Sequence, residues 1–103
     1  ADRMIWPLRL SQLMKYTTGV DYTPEEVLEA ADRVYTLERL FLMKAGSTED
    51  TLPYRMLNEP LPDGPAKGRV AELDKMLPDF YKERGWDEKG LPTQEKLDEL
   101  GLA

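Results

Sequence analysis

The chain has no cysteine and no histidine among its 103 residues. Their absence removes disulfides, thiolate nucleophiles and imidazole bases, along with the usual ligands of zinc, haem and iron–sulfur clusters. Without cysteine the redox compartment leaves no trace in the sequence. Acidic side chains outnumber basic ones, 20 to 14. The net charge is −6, which argues against a nucleic-acid partner, because phosphate binding rests on clustered Lys and Arg. The imbalance is spread evenly: residues 1–50 hold 6 basic and 9 acidic side chains, and residues 51–103 hold 8 and 11. There is no acidic tail and no basic arm. Long apolar runs are lacking too. The longest, Leu40-Phe41-Leu42-Met43, falls far short of the ~20 residues that span a bilayer, so no membrane partner is expected. No segment has the pattern of a secretory signal. The chain opens Ala1-Asp2-Arg3 rather than on methionine, which points to excision from something longer.

Hydrophobic residues make up 41% and charged residues 33%. That is the composition of one small globular domain, taken here as residues 1–103, with a core of limited size. Net stability is expected in the usual range of ~5–15 kcal/mol.

Helical signals dominate. Residues 1–9 are ambiguous, because Pro7 discourages a helix at Trp6; Ser11 then fits the N-cap of a short helix ending at Thr18-Gly19. Thr23-Pro24-Glu25-Glu26 places an N-cap, a proline at the first helical position and a glutamate two residues later, a capping box. Val27, Ala30, Ala31, Val34, Leu37, Leu40 and Phe41 follow at the spacing of one helix face, and Gly46 closes the segment. Leu40 to Met43 is apolar around the whole turn and is expected to be buried on every side. Thr51 is the expected cap of a short helix through Tyr54 to Leu57, ending before Pro60. Pro60 to Gly68 holds three prolines and two glycines, a turning strap rather than a helix or strand. Leu73, Met76, Leu77, Phe80 and Tyr81 return to helical spacing, with Asp74 as the expected effective cap ahead of Pro78 and Gly85 at the end. Trp86 to Gly90 reads as a turn. Thr93 caps a last helix carrying Leu97 and Leu100, stopped by Gly101. The fold class is all-α: a small irregular domain of four to five helices with long Pro/Gly-rich loops.

Chemistry is sparse. There is no nucleophile elbow, no phosphate-cradling loop of P-loop spacing and no EF-hand loop, so no catalytic, cofactor-binding or metal-binding residue is assigned. Asp63-Gly64-Pro65-Ala66-Lys67-Gly68 is glycine-rich with a lysine, and reads as structure rather than a ligand cradle. Glu38-Arg39 admits two readings: an ion pair across the structure with Arg55 or Asp50, or solvated charge worth under ~1 kcal/mol. Of the buried alternatives, Arg39 or Arg55 paired with Glu38 is favoured. Phe80, Tyr81 and Trp86 read as core aromatics.

Several blocks in register carry a resemblance. They are Thr18-Gly19-Val20-Asp21-Tyr22-Thr23-Pro24-Glu25-Glu26, Leu37-Glu38-Arg39-Leu40-Phe41, Asp50-Thr51-Leu52-Pro53-x-Arg55, Glu59 to Gly68, and Arg84-Gly85-Trp86-Asp87 followed by Gly90-x-Pro92-Thr93. Together they cover nearly all of residues 11–103 and resemble the extreme C-terminus of tungsten-dependent aldehyde:ferredoxin oxidoreductases. The family-like positions are Glu38, Arg39, Arg55, Pro60, Gly64, Lys67, Gly68 and Trp86. The resemblance implies a cytoplasmic enzyme of anaerobes that oxidises aldehydes to carboxylic acids. It implies tungsten, or molybdenum, on two pterin dithiolenes, and a [4Fe–4S] cluster passing electrons to ferredoxin. The cysteine ligands and pterin-binding motifs of such enzymes lie upstream of the matching region, so this segment corresponds to scaffold and substrate-access wall, inactive alone. Thr36 and Leu42 stand where relatives often carry asparagine, and Lys44-Ala45-Gly46 where they carry Arg-Glu-Gly. Those departures leave the substrate open, and some relatives, such as the tungsten subunit of benzoyl-CoA reductases, are not aldehyde oxidases. The alternatives are a free-standing helical protein-interaction module without redox activity, and a diverged member with a changed activity. The upstream domains are the expected partner. Without them, the turn at Leu40–Met43 and the Ile5-Trp6 segment should leave an apolar patch through which the fragment self-associates, kept soluble by its acidic charge.

Overall fold

The computed structural model describes residues 2–47 and 49–102. Five helices follow in chain order: α1 (Asp2–Thr18), α2 (Pro24–Lys44), α3 (Tyr54–Asn58), α4 (Leu73–Arg84) and α5 (Gln94–Leu100). Among the described residues there is no strand, only one isolated antiparallel bridge between Trp86 and Pro92. The all-α expectation holds.

Local chemistry explains most boundaries. The Thr23 hydroxyl accepts the Glu26 amide at 3.1 Å, with Pro24 opening α2. The Thr93 hydroxyl accepts the Lys96 amide at 3.2 Å in the same way. α4 and α5 end on left-handed Gly85 and Gly101. In the strap after α3, the Leu61 amide donates to the Arg69 carbonyl and the Gly68 amide to the Leu61 carbonyl, closing a loop that the Ala71 amide ties to Met56 of α3.

Three caps differ from expectation. α1 runs unbroken through Pro7 instead of starting at Ser11. Pro7 is its sixth residue, so the missing N–H costs only one bond near the helix start. Ser11 is buried, and its hydroxyl donates back to the Leu8 carbonyl at 2.7 Å. Thr51 does not cap α3, whose N-cap is Pro53 without a side-chain bond. Asp74 lies inside α4, which begins one residue earlier, after Glu72. Pro78, again the sixth residue, is tolerated for the same reason as Pro7.

The larger correction concerns α2. The face the sequence marks as apolar is largely open: Val34, Leu37, Phe41 and Leu42 are exposed, with Phe41 at 71%. Leu40 and Met43 are half-buried, so the turn is not enclosed on every side. The residues that α2 buries are Val27, Thr36 and Arg39. α1 and α5 both pack against α2.

Among the described residues, the buried hydrophobic side chains are Val27, Tyr81, Trp86 and Leu100, joined by Pro7 and Pro92. The radius of gyration is 17.7 Å, against about 13 Å for a compact chain of this length. The accessible surface is 8500 Å², where a folded monomer of this mass exposes about 5900 Å². About 2600 Å² is therefore surface that a self-sufficient domain would have covered.

Candidate functional site

The most ordered chemistry in the chain is built around Arg39. Its place on α2, one turn after Thr36, turns it toward the loops that follow α2 and α4. The guanidinium grips Asp50 with a two-pronged contact, Nη1 to Oδ1 at 2.8 Å and Nη2 to Oδ2 at 2.6 Å. Its Nε donates to the Gly90 carbonyl at 2.8 Å. The same plane lies 5.1 Å from the Trp86 ring centre and 5.8 Å from that of Tyr81. The Tyr81 hydroxyl donates to Asp50 Oδ2. The Arg39 side chain is 9% exposed and that of Asp50 33%.

Geometry sets the electrostatics. The hydrogen bond from Arg39 holds the Asp50 carboxyl below its ordinary pKa, against the opposing effect of burial, and the Tyr81 hydroxyl lowers it further. Burial pushes the Tyr81 phenol up, and the Asp50 carboxylate adds to that. The bond to Asp50 raises the already high pKa of Arg39. A cleft of about 610 Å³ opens beside this cluster, lined among others by Met43, Asp50, Leu77, Tyr81 and Lys89. Asp50 is nonetheless unsuited to take a proton there, because both oxygens are engaged and its basicity is reduced. The contacts of the cluster fasten the two loops to α2.

A second hub joins α2, α4 and α5. Asp32 receives Lys96 Nζ at 2.6 Å and Arg84 Nη1 at 3.4 Å. Arg84 in turn lies 4.2 Å from the Tyr35 ring centre and 5.6 Å from that of Phe80. Tyr35 stacks on Trp86 at 5.8 Å, and Phe80 meets Trp86 edge-on. The two hubs thus share one aromatic cluster. Arg33 Nε also donates to the Leu100 carbonyl at 2.9 Å. Trp86 Nε1 is buried without a protein acceptor.

Of the family-like positions, Arg39 and Trp86 meet in this cluster. Glu38, the favoured partner of Arg39, is exposed, because neighbouring helix residues point about 100° apart. Asp50, the other carboxylate the sequence offered, holds that place. Arg55 is also exposed and pairs with Glu59 one turn on, at 3.2 Å, so it is not buried. Pro60, Gly64, Lys67 and Gly68 lie exposed on the strap, away from the hubs. Tyr81 and Trp86 are core as expected, while Phe80 is at the edge. Sequence reasoning missed the Asp32–Lys96–Arg84 hub. Its signal was the stripe Asp32, Thr36 and Arg39, polar residues at four- and three-residue spacing on one helix face.

A family model described as "Aldehyde ferredoxin oxidoreductase, domains 2 & 3" matches residues 1–102. The chain is 48% identical over 94 residues to a "Tungsten-containing aldehyde ferredoxin oxidoreductase" of Pyrococcus furiosus, covering 88% of this chain and 16% of that protein. The protein so described in Thermococcus kodakarensis is 45% identical over 94 residues, again 88% of this chain and 16% of the relative. An "Aliphatic sulfonate oxidoreductase, WOR-like subunit" of Pyrococcus furiosus is 35% identical over 96 residues, 82% of this chain and 15% of the relative. The chain therefore spans about a sixth of the length of the curated relatives it matches.

Proposed function

The chain belongs to the aldehyde ferredoxin oxidoreductase family, and from that premise we propose that it serves as the C-terminal helical wall of a tungstopterin oxidoreductase. The parent enzyme would oxidise an aldehyde to a carboxylic acid and pass the electrons through a [4Fe–4S] cluster to ferredoxin. Residues 1–103 act in it as one unit. The donor set here does not fit the metal groups. Cysteine and histidine are absent from the sequence, and among the described residues no group of three or more acidic side chains is gathered to hold a metal ion. No step of the reaction is assigned to this chain's residues. Its part is to exclude water and shape access, which strengthens electrostatic effects around a redox centre.

The observation that carries this reading is the 2600 Å² of surplus surface on a chain without redox ligands. Such an area matches a permanent interface rather than a transient one. Among the described residues no helix is long and apolar enough to cross a membrane; the proposed cytoplasmic setting follows from the family alone.

The test compares a full-length polypeptide carrying this segment with one from which it is deleted. The intact protein is expected to contain tungsten and iron and to reduce a viologen dye with an aldehyde. The deleted form is expected to lose that activity. An intact protein with neither metal nor activity would overturn the reading in favour of a non-redox interaction module. The 103-residue chain alone is expected to show no aldehyde oxidation. A stoichiometric cluster or tungsten on it would refute that.

A further inference from the structure

Part of the exposed apolar surface forms two continuous ridges. On α1, Trp6, Leu10 and Leu13 recur at four- and three-residue spacing, and all three are exposed, Trp6 at 79%. On α2, Val34, Leu37 and Phe41 recur at three- and four-residue spacing and are exposed as well. Each set forms one ridge on its helix. The buried side of α1 is different: Pro7 and Ser11, one turn apart, face inward. On α2 the inward side in its second half is Thr36 and Arg39, held by the hubs. Both apolar ridges thus lie off the chain's own packing and along the same two-helix hairpin.

We infer that this hairpin face, with Trp6, Leu10 and Leu13 on one helix and Val34, Leu37 and Phe41 on the other, is the seam that docks on the remainder of the polypeptide. The inference rests on the preceding reading of the chain as part of a larger enzyme. Two observations choose this occupant. The relatives at 45–48% identity are about six times as long, leaving a large body to supply the partner surface. The chain's total surplus of about 2600 Å², to which this face contributes, also far exceeds the ~800 Å² per partner of an ordinary interface. A permanent intramolecular contact uses that much area; a chance dimer needs far less. The opposite edge of α1 carries Arg9, Gln12, Lys15 and Tyr16, all exposed and largely polar, and stays in water.

Hydroxyl-radical footprinting tests this on the full-length polypeptide and on the 103-residue chain side by side. Trp6 and Phe41 are expected to label at least about fivefold more slowly in the full-length protein. Tyr16 is expected to label equally in both. In the full-length protein, Leu37→Glu with Phe41→Glu should restore labelling of Trp6, whereas Tyr16→Glu should not. Phe41→Leu keeps the ridge apolar and should retain protection, which separates docking from a mere folding defect. Equal labelling of Trp6 and Phe41 in both proteins overturns the proposal. Protection that appears only as the full-length protein dimerises also overturns it, and assigns the face to a second copy. Tungsten and dye reduction are measured on the same sample: a protected face without metal or activity refutes the redox reading and leaves the seam standing.

Discussion

Replacing Asp50 with asparagine isolates the Arg39 hub, since shape is kept and only the charge and one acceptor are lost. In the wild type a guanidinium at 9% exposure is matched by a two-pronged carboxylate. Without it, Arg39 keeps the Gly90 carbonyl and the two ring faces, but its charge is buried without a counter-charge. Breaking a fully buried pair costs roughly 3–5 kcal/mol, and an exposed one under about 1. Asp50 is a third exposed, and solvent screens part of the charge, so about 2 kcal/mol is expected. For a chain of this size that lowers the melting temperature by roughly 8–16 °C. Thermal unfolding followed by far-ultraviolet circular dichroism measures it. The pH dependence supplies a second reading. The Asp50 pKa is depressed in the folded state, so its contribution is present above the ordinary carboxylate value near 4 and is lost as pH falls through the lower folded value. The gap between wild type and Asp50→Asn should hold steady from about pH 5 to 8 and shrink in acid below about 4. A variant within ~0.5 kcal/mol of wild type at neutral pH, or a gap unchanged in acid, would refute the reasoning.

Substitutions at four further positions probe other parts of the argument. Gly90→Ala should cost about 3 kcal/mol or more, because at φ +77° a Cβ is strained and would press into the Arg39 guanidinium and the Tyr81 ring. Gly64→Ala, at φ +87° in open space, should cost only ~1–2 kcal/mol; equal losses in denaturant titrations would contradict the role of the close approach. Thr23→Ala removes the acceptor of the Glu26 amide and should destabilise by ~1 kcal/mol, recovered in part by Thr23→Asp, with calorimetric melting points as the measure. Arg55→Ala should shift stability by less than ~0.5 kcal/mol, since its pair with Glu59 is solvent-exposed; a larger loss would show a contact beyond that pair.

The sequence made local structure legible wherever a residue acts on its own neighbours. Thr23-Pro24 and Thr93 announce their helices because the cap bond is only three residues long. The strap from Pro60 to Gly68 is equally readable from missing donors. Pro7 and Pro78 were harder. A proline six residues into a helix forfeits one bond, and packing elsewhere decides whether the helix begins earlier. The inward face of α2 matches the apolar spacing at Val27 but not in its second half. Periodicity identifies which residues share a face, not what that face meets, and the second half of the ridge, at Val34, Leu37 and Phe41, stays exposed. The Arg39–Asp50 pair spans 11 positions and the Arg84–Asp32 pair 52. Contacts at that separation leave no local pattern, so Asp50 is legible as one of two candidate partners of Arg39 and the Asp32 hub only through the polar stripe Asp32, Thr36 and Arg39.

That polar interior has a physical reason. A loop that packs against a helix brings backbone carbonyls and amides with it, and those must be bonded once they leave water. The Gly90 carbonyl is such a group, on a loop whose own bonds run between Asp87, Lys89 and Leu91. A leucine at position 39 would fill space beside Trp86 yet leave that carbonyl without a donor and Asp50 with the Tyr81 hydroxyl alone, at ~1–3 kcal/mol for each unmet group. Arginine solves both requirements at once. Its planar head stacks on Trp86 and Tyr81 as an apolar face would, while its edge donates to Gly90 and Asp50. Lys96 and Arg84 do the same for α5 and α4 through Asp32. The chain thus holds its later helices in register with charged groups paired to carboxylates, the two guanidiniums also lying over aromatic rings, and spends little of its aliphatic surface on itself. The leucines, valine, phenylalanine and tryptophan of the hairpin ridges stay outside, where only a partner surface can bury them. A piece built this way keeps its shape through directional contacts and docks through non-directional ones, so substitutions at the hubs and at the seam should add independently when combined.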